Sequence, residues 1–181
     1  MDLRTALWNL LGFGALPLWL AAGGADWLCH RRTRIENTSG PAESRLHLLL
    51  HLEIAIPVLL ALWFRITTLM LLLMALGVAT HMFTSWWDTS VAQPRRFIAP
   101  IEQQVHSWLE MLPLFALVCV ALLHLPELVS PRWTLEARAQ PAPVGWRIAV
   151  VAGFSGGLLL IAEEWWRGVR AQRAPSAAPH W

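Results

Sequence analysis

Residues 43–53 read ESRLHLLLHLE, and residues 54–64 continue IAIPVLLALWF. An almost wholly apolar segment therefore opens with two glutamates and two histidines. Ionisable groups inside a membrane are expensive and persist where they have a partner or a task. What these four do depends on where the other polar residues of the chain lie.

The 181-residue chain is 56% hydrophobic and 14% charged, against roughly 25% charged in an ordinary soluble domain. It has 12 Trp and no Tyr. This is the composition of a membrane protein. Five apolar runs, at 7–28, 46–64, 66–87, 105–125 and 144–162, approach or reach the roughly 20 residues that a helical crossing needs. The expected fold is an all-α integral membrane protein with five transmembrane helices. Residues 1–170 would form one transmembrane domain and 171–181, rich in Pro and Ala, a mobile tail that includes His180. The first run has a weak n-region and too long an apolar core for a cleaved signal peptide.

All 14 basic residues are arginine. With five crossings, Arg31, Arg32, Arg34, Arg45, Arg95, Arg96, Arg167, Arg170 and Arg173 fall on one side. Arg4, Arg65, Arg132, Arg138 and Arg147 fall on the other. The positive-inside rule then places the N-terminus outside and the C-terminus in the cytoplasm of a bacterial-type inner membrane. Trp residues mark both interfaces. The expected partners are the bilayer and an apolar or lipid-like substrate, with no nucleic acid.

The same topology gathers the polar residues at one depth. Asp26 and His30 end the first helix at the cytoplasmic face, and Glu43 and His47 begin the second there. His81 and Asp88 end the third, and Glu102 and His106 begin the fourth. Asp26/His30, Glu43/His47 and Glu102/His106 are spaced i, i+4, so each pair shares a helix face. His81 and Asp88, seven apart, also share one.

The sequence P-x-E-x-x-x-H occurs twice, as Pro41-Ala42-Glu43 with His47 and as Pro100-Ile101-Glu102 with His106. Proline suits the first helical turn, where no amide partner is lost, and a glutamate there is favoured by the helix dipole. Helices one to four are therefore expected to form a four-helix bundle of two repeated hairpins around a polar metal site. Helix five, without a candidate ligand in its core, would lie at the periphery.

Four carboxylates and four imidazoles suit iron, manganese or zinc better than copper(I). Eight ligands are about right for two ions. Four-helix bundles with inward Glu and Glu-x-x-His sets build di-iron and di-manganese centres in this way. The likeness is one of ligand logic only, since of the H-x-x-x-H and H-x-x-H-H boxes of membrane desaturases and hydroxylases the chain has a single H-x-x-x-H, His47 to His51, and no H-x-x-H-H. The expected cofactors are two divalent metal ions, iron favoured and zinc or manganese as alternatives. Asp26, His30, Glu43, His47, His81, Asp88, Glu102 and His106 would bind them. His51 and Glu110, one turn deeper, would be ligands, proton relays or supports, and are the expected catalytic residues.

The expected activity is that of a metal-dependent membrane oxidoreductase of hydroxylase or desaturase type, supplied with electrons by a reductase partner. One alternative is a dinuclear hydrolase acting on a lipid headgroup or phosphate ester, with the arginine-rich loops holding the anion. Others are a haem-binding electron-transfer protein and a dry ion-pair network that glues the bundle. Glu36 and Glu53 read as pairing or supporting residues, Glu163 and Glu164 as interfacial, and Cys29 as either a packing residue or a soft ligand. Gly153-x-x-x-Gly157 in helix five is a close-packing motif that would cap the bundle or join a homodimer.

Overall fold

A computed structural model describes residues 1–173. The described chain is helical, with only an isolated bridge between Phe64 and Ala137. In chain order the helices are α1 (Leu3–Thr33), α2 (Pro41–Leu60), α3 (Thr68–Ala92), α4 (Pro100–Leu123), the short α5 (Leu125–Val129) and α6 (Val144–Arg173). Four of them, α1, α3, α4 and α6, are long and apolar enough to cross a membrane. The expected runs locate every long helix but miss its ends. α1 extends five residues past its expected limit to Thr33, and α6 runs on to Arg173 rather than stopping at 162. Residues 171–173 thus belong to the last helix; the rest of the expected tail, with His180, lies outside the described residues.

α2 is apolar in its C-terminal two-thirds but carries Glu43, Arg45 and Glu53, and it is not among the four candidate spans. It is nevertheless the most enclosed helix. Glu43, Ser44, Leu46, His47, His51, Ile54 and Ala55 are all buried.

Local sequence sets the ends. Arg34, in the left-handed region at φ 52°, closes α1 with its amide on the His30 carbonyl. Gly40, at φ 57° and ψ −140°, takes a backbone conformation that only glycine adopts readily. It delivers the chain into α2, whose first residue is Pro41. Thr67 caps α3 by accepting from the Met70 amide, and Pro100 opens α4.

A core of Trp19, Ile54, Ala55, Val78, Val150 and Phe154 ties α1, α2, α3 and α6 together. α2 and α3 pack tightly at Gly77, where a Cβ would stand 2.5 Å from the Glu53 carbonyl oxygen. At the end opposite the polar residues, the segment 130–143 covers the α2–α3 turn. The backbone amide of Arg65 donates to the Glu136 carbonyl at 2.8 Å and that of Arg138 to the Trp63 carbonyl at 2.8 Å.

The last helix is not peripheral. It packs against α1 and α2 through the glycines that the sequence marks as a contact motif. A Cβ at Gly153 would lie 2.6 Å from Leu20, and one at Gly157 would lie 2.7 Å from His51. The motif is used within the chain, and it brings Glu164 into the bundle.

Candidate metal centre

The fold brings together seven of the eight expected ligands: Asp26, His30, Glu43, His47, Asp88, Glu102 and His106. His30 is at the centre. Its Nε2 is 3.2 Å from Glu102, 3.4 Å from Asp26 and 3.7 Å from Glu43. His106 Nε2 lies 2.9 Å from Asp26. His47 Nε2 lies 3.5 Å from Asp88 and 3.9 Å from Glu43. The His30 and His47 rings stack face to face, 4.5 Å apart and 10° from parallel. These two rings do not oppose their nitrogens across a gap, as two axial haem ligands would.

Two residues outside the expected ligand set complete the cluster. Glu164 is buried, not interfacial. It accepts from Nδ1 of His30 at 2.9 Å, from Nδ1 of His47 at 2.8 Å and from the Ser44 hydroxyl at 2.9 Å. Arg96, from the loop between α3 and α4, places one terminal nitrogen 2.5 Å from both Glu43 and Glu102. Burial alone would lower its pKa, but the two carboxylates hold it above the ordinary arginine value. Glu43 and Glu102 therefore approach within twice that distance of each other. Glu164 lies seven residues, about two turns, beyond Gly157. Extending the glycine stripe along its own face would have found it. Nothing local singles out Arg96 from Arg95.

The remaining expected residues lie outside the cluster. His81 has its ring nitrogens 3.1 Å from the Leu50 carbonyl and 3.3 Å from the Leu109 carbonyl, because α2 and α4 pass close on either side of α3 there. His51 contacts the Phe154 carbonyl at 3.0 Å and stacks on Trp19. Glu110 accepts from Ser85 at 2.5 Å. Glu53, expected off the ligand face, accepts from Thr84 at 2.8 Å. Glu36 pairs with Arg167, while Cys29 stands as a free, half-buried thiol. Glu163 is indeed at the rim, held by Trp27, Arg31 and Arg167.

The donor set suits a metal. Asp26, His30, Glu102 and His106 each offer an atom within 4.8 Å of the others, and so do His30, Glu43 and His47. That is close to the spread of ligands bound at roughly 2.0–2.2 Å to one ion. Asp26 Oδ1, His30 Nε2, His47 Nε2, Asp88 Oδ1 and Glu102 Oε2 are buried without a well-directed hydrogen bond, although Asp26 Oδ1 and His30 Nε2 each have an oppositely chargeable group within 3.4 Å. Such atoms are uncommon in folded proteins, and cations bound among them would satisfy their lone pairs. Five carboxylates, from Asp26, Glu43, Asp88, Glu102 and Glu164, face one guanidinium and three imidazoles. Carboxylates thus outnumber the cationic and potentially cationic groups, which favours a bound cation. No protein family, curated protein or solved structure matches the chain; the geometry carries the functional reading by itself.

Proposed function

We propose that the protein is a membrane-bound dinuclear metal oxidoreductase of the di-iron type, acting on an apolar or lipid substrate. The observation that carries this is the double histidine clamp. Glu164 lies against Nδ1 of both His30 and His47, so with a proton on each Nδ1 both Nε2 atoms would be free to bind a cation held by the facing carboxylates. A carboxylate behind a histidine is how metal-binding imidazoles are oriented and made more basic.

Asp26, Glu102 and His106 would bind one ion and Glu43, His47 and Asp88 the other, with His30 between them. Two irons here would supply reductive activation of dioxygen. One oxygen atom would enter a substrate C–H bond as a hydroxyl group and the other would leave as water, with two electrons and two protons from a cytosolic reductant. The protein would hold the ligands fixed, keep bulk water out and position the chain.

In this reading α2 is a fifth crossing, with Glu43 and Glu53 turned inward and Arg45 exposed near its N-terminal end. The two P-x-E-x-x-x-H helices belong to repeated hairpins about an axis through the cluster. The N-terminus lies outside a bacterial-type inner membrane and the cluster at its cytoplasmic edge, within reach of a reductase. Arg96 supports a second reading, a structural ion-pair bundle, because its guanidinium already bridges Glu43 and Glu102.

Metal analysis of detergent-purified protein, with optical and electron paramagnetic spectra, tests the proposal. About two irons per chain, coupled as a pair, is the expected result. Two zincs would favour a hydrolase instead. Protein that takes up no metal under any loading condition would leave the ion-pair bundle.

A further inference from the structure

The polar cluster does not fill the bundle. Beside it, toward the middle of the helices, lies a cavity of about 300 Å³, at the lower end of the range for small-molecule sites. One end is polar, formed by Asp26, His30, His47, Asp88, His106 and Glu164. The walls are apolar, chiefly Trp19, Leu20, Leu50, Leu109, Leu160 and Ile161. Such a chamber would hold a slender ligand with one segment against the cluster.

Part of its wall is formed by small residues of α1 and α6. Gly23 and Gly24 of α1 and Gly156 of α6 line the cavity, and Gly156 is exposed on the outer surface. These glycines do not serve close packing. A Cβ at any of the three would meet nothing within 4 Å, unlike one at Gly153 or Gly157. Glycine inside a helix costs about 0.5–1 kcal/mol relative to alanine, and here it leaves a gap in the wall. Both flanking helices are apolar enough to span a membrane, so a gap between them would face acyl chains rather than water.

The polar end of the chamber is the face of the candidate metal centre. His30 Nε2, His47 Nε2 and Asp88 Oδ1 have no well-directed hydrogen bond. Each belongs to a side chain that is at least nine-tenths buried and lines this cavity.

We infer that the cavity takes one unbranched hydrocarbon chain, which enters from the bilayer between α1 and α6 and lays a methylene against the polar cluster. What happens to that methylene rests on the metal reading above; its binding does not. A branched or ring-shaped substrate would crowd the lining side chains Trp19 and Leu160.

The test is photo-crosslinking of the purified full chain. One probe is palmitic acid carrying a mid-chain diazirine, and the other is a phosphatidylglycerol with the same acyl chain. Metal content is measured on the same samples. Labelling of Trp19, Leu20, Leu160 or Ile161 by either probe is the expected result, and the better probe tells a free acid from a lipid-borne chain. Gly156→Leu and, separately, Gly24→Leu should reduce that labelling about ten-fold, the loss produced by 1.4 kcal/mol, with metal content unchanged.

Label confined to outward residues such as Leu76, Phe83 and Ile148 would overturn the inference, as would chamber labelling unmoved by both leucines. If a leucine variant does not fold, the wild-type label map decides alone. Labelled chamber without metal would sink the oxidoreductase reading and keep this one; metal without chamber label would do the reverse.

Discussion

Glu164 and His47 are 117 positions apart in the chain, yet the glutamate accepts the imidazole Nδ1 proton at 2.8 Å. The same carboxylate takes His30 from the neighbouring helix, so one residue of α6 sets the orientation of two rings. Glu164→Gln keeps the shape and can still accept from one ring, but it removes the charge. Metal affinity should fall 10–100-fold, the typical effect of losing such a support, while the helical content stays. Competition titrations with a chromophoric chelator measure this. Unchanged affinity would mean that the histidines need no support from α6.

Arg96 holds Glu43 and Glu102 together, and all three are buried. Removing one partner from a buried ion pair typically costs about 3–5 kcal/mol, because a charge is left uncompensated. Arg96→Ala should therefore destabilise the metal-free protein strongly. Metal should recover much of that loss if it occupies the same space. Thermal midpoints of both proteins, with and without iron(II), decide it; equal losses in the two conditions would separate Arg96 from the metal site.

If metal joins helices that otherwise repel through surplus carboxylates, its binding energy becomes stability. A ligand at about 100 times its Kd contributes about 2.7 kcal/mol. A chelator should lower the midpoint of loaded protein, and Glu43→Ala or Glu102→Ala should lose metal and stability together. An unmoved midpoint in fully demetallated protein would favour the ion-pair bundle.

Gly77 stands against the Glu53 carbonyl, with no room for a methyl group. Gly77→Ala should push α3 from α2 and cost about 1–3 kcal/mol, as overpacking does, without touching a polar-cluster residue. A chemical or thermal denaturation series reads the loss. Gly23→Ala, with open space around its Cβ, is the control that should not destabilise.

Arg34, Arg95 and Arg173 lie at the cluster end of the bundle, and Arg138 pairs with the Phe64 carbonyl at the other. Reporter fusions should place the first three in the cytoplasm and Arg138 outside. Arg34 and Arg138 reporting the same side would refute an odd number of crossings between them.

Composition and periodicity by themselves determined the helical class, the helix positions and the depth at which Asp26, His30, Glu43, His47, Asp88, Glu102 and His106 gather. Those follow from local rules: apolar length, proline in a first turn, and residues four apart on one face. The opening stretch is answered on the same terms. Glu43, His47 and His51 drift by only about 80° at 100° per residue, and all three point inward. Only tertiary structure decided what lies between helices. His81 has the right type and depth, but neighbouring carbonyls take its nitrogens. Glu164 has the look of an interfacial residue until Gly153 and Gly157 draw α6 against Leu20 and His51. Arg96 differs from Arg95 only in where its loop points. Such distinctions depend on the rotation and approach of whole helices, which close packing of non-local side chains sets and no short window of sequence contains.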